Sequence, residues 1–217
     1  MKVRVSFHLI LWMFFGFIAM LIGIRYMFSG KYAFLFLVWN LFLAWIPFAI
    51  SSLFYKITQQ KKWKQGLVFL SWFLFFPNAL YIVTDLIHLD METRVPKWYD
   101  ALLVLSSSIA GLLMAFVSLL RVEKYLSVKF SERVVHVVIV GLLFFGSFGV
   151  YLGRFLRWNS WDIITNPFSL LLSIGQRFIF PFQYAGTWAI TILFTIFFYL
   201  LYLAIKKLPG YLNQAIQ

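Results

Sequence analysis

Residues 66–89 read GLVFLSWFLFFPNALYIVTDLIHL. From Gly66 to Thr84 no side chain carries a formal charge; then Asp85 and His88 arrive together, with Asp90 just beyond. A helix rises about 1.5 Å per residue, so a run of this length covers the roughly 30 Å of hydrocarbon in a bilayer. The run is therefore expected to be a membrane-crossing helix with ionisable groups at its far end. Five more runs of similar character lie at 7–28, 32–54, 100–120, 134–153 and 184–205. Hydrophobic residues make up 63% of the 217 positions and charged residues only 12%, a balance that excludes a water-soluble globule because its surface would be largely apolar.

The expected fold is an all-α integral membrane protein of about six transmembrane helices, a single domain over 1–217 with no soluble domain, since no connection is long enough to bury a core. FSLLLSIGQRFIF at 168–180, bounded by Pro167 and Pro181, is too short to cross and reads as an interfacial or re-entrant helix. The first run is longer than the apolar core of a signal peptide and lacks a small-x-small cleavage pattern, so it is expected to stay as an anchor. With no cysteine, disulfides and thiolate chemistry are excluded.

Charge placement sets the expected orientation. Of the nineteen Lys and Arg, twelve fall on one side of the alternating runs, from Lys2 and Arg4 through Lys56, Lys61, Lys62, Lys64, Arg121, Lys124, Lys129 and Arg133 to Lys206 and Lys207. The other seven are Arg25, Lys31, Arg94, Lys97, Arg154, Arg157 and Arg177. The excess of positive charge on cytoplasmic loops then predicts that the N- and C-termini are both cytoplasmic. The net charge of +12 needs no nucleic acid, because basic loops beside anionic lipid account for it.

In this orientation the third run delivers Asp85 and His88 to the outer surface, and the fifth delivers GVYLGRFLRWNSWD, with Arg154, Arg157, Asn159 and Asp162, to the same surface. Asn78, Tyr81, Asp85 and His88 are spaced 3, 4 and 3 apart, which on an uninterrupted α-helix makes one stripe. Asp85 at a helix C-terminus is opposed by the macrodipole and needs a cation, which Arg154 or Arg157 is expected to supply. Gly146, Gly149 and Gly153 form a small-residue stripe that admits a neighbouring backbone. Pro77 removes one helical hydrogen bond and is expected to kink the third run. Asp100 is expected to act structurally at the start of the fourth helix, and Arg177 to meet lipid phosphate. Trp98, Tyr99, Trp158 and Trp161 suit an interfacial aromatic belt. Asn40 suits interhelical hydrogen bonding or ligand contact equally.

Four runs, NLFLAWIP at 40–47, FFPNALYIVTDLIHL at 75–89, KWYD at 97–100 and YLGRFLRWNSWDIITNP at 151–167, resemble the bacterial membrane family called domain of unknown function 1361. The resemblance implies a multi-pass protein of the bacterial plasma membrane and no particular activity. Where that family is expected to carry proline after P-N-A, this chain has Leu80.

The leading functional expectation is an outward-facing polar pocket between the third and fifth helices, walled by the fourth helix and the short interfacial segment, that binds an anionic lipid head group or another cell-envelope molecule. Arg154, Arg157, Asn78, Tyr81, Asn159 and Asp162 are the expected binding groups. The alternative is a membrane-embedded hydrolase or transferase in which His88, oriented by Asp85, exchanges protons. A scaffold and a passive lipid transporter are further alternatives; a proton-coupled transporter would need ionisable groups through the whole thickness, which the inner halves lack. No metal or cofactor is assigned: His8 and His136 begin their helices at the end opposite His88, so no tris-imidazole site can assemble. Membrane lipids are the expected partners.

Overall fold

The computed structural model describes residues 6–90 and 95–215, with the backbone alone for 88–90. In chain order the helices are α1 (Phe7–Ser29), α2 (Phe36–Ser51), α3 (Phe54–Ile57), α4 (Lys62–Tyr81), α5 (Lys97–Ser127), α6 (Glu132–Leu156), α7 (Asp162–Thr165), α8 (Pro167–Ile179) and α9 (Ala185–Ala215). A 3-10 segment, Ile82–Asp90, continues α4. Among the described residues six helical segments have the length and apolarity to cross a membrane, Phe7–Ser29, Phe36–Ile57, Lys62–Ile87, Lys97–Ser127, Glu132–Leu156 and Ala185–Ala215, and they coincide with the six predicted runs. The chain is an all-α multi-pass membrane protein. With its 13 residues, α8 is about 20 Å long and cannot span; it starts on Pro167, whose missing N–H costs nothing in a first turn.

Two helices overrun their predicted ends. The apolar runs stop near residues 120 and 205, but α5 continues to Ser127 and α9 to Ala215. Outside hydrocarbon a helix is held by polar contacts, and here Glu123 of α5 pairs with Lys206 of α9, whose Nζ also donates to Tyr202 Oη at 3.1 Å.

The most enclosed helix is α5, packed against α1, α2, α4 and α6. Small side chains make this possible. Ser106, Ser107, Ser108, Ala110, Gly111, Ala115 and Ser118 are all buried. The hydroxyls of Ser106, Ser107 and Ser118 return to backbone carbonyls of α5 at 2.7–3.0 Å, so polar groups in an apolar setting are satisfied without a wide partner. A methyl at Gly111 would lie 2.3 Å from Ile82 Cγ2, which fixes how closely α5 meets the 3-10 segment.

The predicted glycine stripe of α6 faces α4. At Gly149 a Cβ would fall 2.7 Å from the Pro77 ring, and at Gly146 one would fall 3.0 Å from Leu80. Gly149→Ala is therefore expected to push α4 and α6 apart and to destabilise the protein by about 1–3 kcal/mol, as overpacking does. Gly141→Ala on the same helix, with nothing within 4 Å, should leave thermal denaturation in detergent unchanged or slightly improved.

The third span does not remain an α-helix to its end. At Tyr81 the winding tightens, for two reasons. Ile82, Val83 and Thr84 are consecutive β-branched residues, which lose side-chain freedom in an α-helix. Hydroxyls also take the carbonyls that the next helical turn would use: Thr84 Oγ1 donates to Tyr81 O at 2.6 Å, and Ser108 Oγ of α5 donates to Ile82 O at 3.2 Å. A 3-10 segment turns about 120° per residue instead of 100°, so residues beyond Tyr81 rotate away from the α-helical stripe.

Candidate functional site

That rotation takes Asp85 off the stripe that it was expected to share with Asn78 and Tyr81. Asn78 and Tyr81, still on α-helical backbone, line a cavity between α4 and α6. Asp85 turns inward and is 1% exposed. The side chain of His88 lies outside the described residues.

Asp85 has the cation that its position demands, and it is Arg154. The two form a buried ion pair; Asn40 Nδ2 of α2 donates to Asp85 Oδ2 at 2.7 Å, and Arg154 Nε donates to Thr84 Oγ1 at 2.8 Å. The guanidinium also lies 4.4 Å from the centre of the Tyr81 ring. One polar knot thus joins α2, the end of α4 and the end of α6. Of the two arginines expected to be suppliers, Arg157 is not used in this way. It terminates α6 in the left-handed region, φ 60°, with an exposed side chain. Arg154, expected to bind ligand, is committed to Asp85.

Asn78 is held by a second group. Its Nδ2 donates to Ser160 Oγ at 2.9 Å and to Phe75 O at 3.2 Å, while Ser160 Oγ donates to Leu74 O at 3.0 Å. Leu74 lies one helical turn before Asn78, so the loop after α6 is fastened to α4 beside Pro77. Asp162, also expected to bind ligand, is a loop group here: it accepts from Asn159 N–H at 2.6 Å and from Thr165 Oγ1 at 3.0 Å, and it does not line the cavity. Its carboxylate sits at the start of a four-residue helix, where the free N–H groups are concentrated.

The cavity has a volume of about 440 Å³. Its polar groups are Asn40, Asn78, Tyr81, Asn159 and Ser160; most of the remaining wall is apolar and comes from α2, α4, α6 and α8, with Phe73, Phe145, Phe148, Ile174 and Phe178 among its residues. Of the two walls expected, α8 lines this cavity and the fourth membrane helix, α5, does not. In its place stands α2, because the small residues of α5 draw that helix into the centre of the bundle, away from the cavity. Sequence reasoning did not assign Asn40 or Ser160 to the site. The signal available for both was a polar residue set among aromatics within a largely apolar stretch, NLFLAW and RWNSW.

Two further expectations change. Asp100 does not simply cap α5; it makes a bidentate pair with Arg25 of α1, Nε to Oδ1 at 2.7 Å and Nη2 to Oδ2 at 3.1 Å, and both side chains are buried. Arg177 does not reach outward to lipid. It is 7% exposed, donates to Ser173 O and lies 4.8 Å from the Tyr184 ring, because the last turn of α8 folds it under Tyr184 and Tyr151. Trp98 and Trp161 are exposed, as an aromatic belt requires. His8 packs on Phe48, and His136 Nε2 lies 3.2 Å from Tyr199 Oη, so both histidines have structural surroundings. Among the described residues no three His, Cys, Asp or Glu side chains group as metal ligands.

No curated protein and no solved structure matches the chain. Residues 39–201 match the family model described as Protein of unknown function (DUF1361), a region that takes in all four of the motifs quoted above, and the chain belongs to that family.

Proposed function

We propose that the protein binds an amphipathic envelope molecule, a lipid or a lipid-linked anion, from the outer leaflet of a bacterial plasma membrane. The observation that carries this reading is the shape of the cavity chemistry: aromatic and aliphatic walls over most of its length and a cluster of amide and hydroxyl groups at one end. A pocket of this size lies within the range used for small ligands. The apolar wall suits an acyl or isoprenoid chain, and Asn40, Asn78, Asn159 and Ser160 offer donors and acceptors to a head group. Arg157, exposed on the loop that carries Asn159, supplies the positive charge that the committed Arg154 does not. The outer location follows from the basic end of the bundle facing the cytoplasm, as the positive-inside bias favours.

The test is native mass spectrometry of protein released from nanodiscs made with lipid extract. Wild type should retain a lipid-sized ligand. Asn78→Leu should lose most of it, because a buried amide that recognises a polar group contributes about 1–3 kcal/mol when its partner is desolvated, and Ile174→Trp should fill the apolar wall and do the same. Retention of the same ligand by both folded variants would place it elsewhere on the protein and remove this reading.

A further inference from the structure

The opposite end of the bundle holds a second cavity, of about 790 Å³, between the end of α2, α3 and the last turns of α5. Lys56, Arg121 and Lys124 border it together with Ser52, Thr58 and Gln59, and among the described residues no carboxylate does. Glu123, the neighbour of Lys124 in sequence, is turned to Lys206 of α9. Three like charges around one cavity repel one another, and an anion placed among them removes that repulsion.

The groove is built rather than merely solvated. Arg121 Nη1 donates to Phe48 O and to Ser51 Oγ, both at 3.1 Å, and the guanidinium lies 4.6 Å from the centre of the Phe48 ring. A cation is thereby fixed at the C-terminal end of α2, where the helix dipole is negative. Nε and Nη2 of Arg121 have no partner among the described residues and remain for a ligand. The opposite wall is fastened as well: Gln65 Nε2 donates to Thr58 O at 3.1 Å and to Gln60 O at 2.7 Å, and Tyr125 Oη donates to Gln65 Oε1 at 2.8 Å.

We propose that this groove is an anion site for a phosphate group, distinct from the outer cavity. Planar guanidinium N–H groups, two ammonium groups and nearby hydroxyls match the several acceptor oxygens of a phosphate. Tyr55 and Val128, 90% and 71% exposed, stand at its rim. Such apolar surface at the end of a membrane bundle fits head-group depth, so the phosphodiester of an anionic phospholipid is the source the site is shaped for, and free phosphate is the soluble source with the same chemistry.

The experiment uses the full-length protein in two arms. In the first, native mass spectrometry counts phosphatidylglycerol retained from nanodiscs of phosphatidylglycerol in phosphatidylcholine. In the second, detergent-solubilised protein is titrated calorimetrically with inorganic phosphate. Lys56→Gln combined with Lys124→Gln removes two charges from the groove and spares Arg121, whose role at the end of α2 supports the fold. Lys61→Gln combined with Lys62→Gln removes the same charge from the same end but outside the groove. At about fivefold per direct ion pair lost, the groove variant should lose on the order of 25-fold in phosphatidylglycerol preference, while the control, whose charges make no direct contact and are screened, changes by less than about twofold. Loss in the groove variant confined to the phosphate titration would keep the site and assign it to a soluble phosphate. Equal loss in both variants would assign the preference to net charge alone, and no loss in either would show that the groove cations do not hold the lipid; each result would overturn the proposal.

Discussion

Replacing Arg154 by methionine is expected to destabilise the folded protein in detergent by about 3–5 kcal/mol, because it strands a carboxylate inside the bundle. Asp85 is 1% exposed and lies just beyond the last turn of α4, whose C-terminal dipole already opposes its charge. Its bond from Asn40 is neutral and cannot replace a cation. Asp85→Leu alone should also destabilise, by leaving the guanidinium over Tyr81 without its acid. The double variant Arg154→Met with Asp85→Leu should be milder than the two single effects combined, since neither charge is then left buried alone. Arg157→Gln is the control. That side chain is exposed, and its change should stay within about 0.5 kcal/mol. Thermal denaturation of the four variants checks the cycle; strictly additive effects would mean that Asp85 and Arg154 do not share their stabilisation.

Asp100→Asn is expected to loosen α1 from the remainder of the bundle. Arg25 and Asp100 are joined by two hydrogen bonds in a setting where both are buried, and the guanidinium lies 4.5 Å from the Phe34 ring. Arg25 Nη1 has no partner among the described residues, so this arginine already depends on its one carboxylate. Removing the negative charge should cost about 3–5 kcal/mol. The loss should be local, because α1 packs mainly on α5 and its other polar tie there is Tyr99 Oη donating to Leu21 O at 2.8 Å. Hydrogen exchange read by mass spectrometry should rise across α1 while α4 and α6 keep their protection. Lys31→Gln, exposed just past the end of α1, should alter neither melting nor exchange. Uniform exchange in Asp100→Asn and wild type would show that the pair does not hold α1 in place.

The six spans were legible because crossing a bilayer is a demand on length and apolarity, and both are written residue by residue. Pro77 facing Gly149 was legible in part: the small-residue stripe was visible on α6, but which helix would use it was not. The ends of α5 and α9 were misjudged because hydropathy marks the edge of hydrocarbon and not the end of a helix, and the overhangs are held by contacts such as Glu123 with Lys206.

At the candidate site the sequence supplied the inventory. It showed that Asn78, Tyr81, Asp85, Arg154, Arg157, Asn159 and Asp162 gather at one end of the bundle, and that a carboxylate at the close of the third span would need a cation. It could not say which arginine answers, nor which of these groups face a cavity. Those outcomes rest on the change of winding at Tyr81, and that change depends partly on Ser108, a residue of another helix, taking the Ile82 carbonyl. Helical spacing predicts faces only while the winding is constant. Sequence alone therefore determined the solvent, the number of spans and the polar end of this protein, because each is a sum over local residue properties. The tertiary structure alone decided that Asp85 and Arg154 are spent on each other, that Arg25 and Asp100 are paired, and that α2 walls the cavity where α5 was expected, because each of these depends on which distant side chains compete for one buried charge or one narrow space.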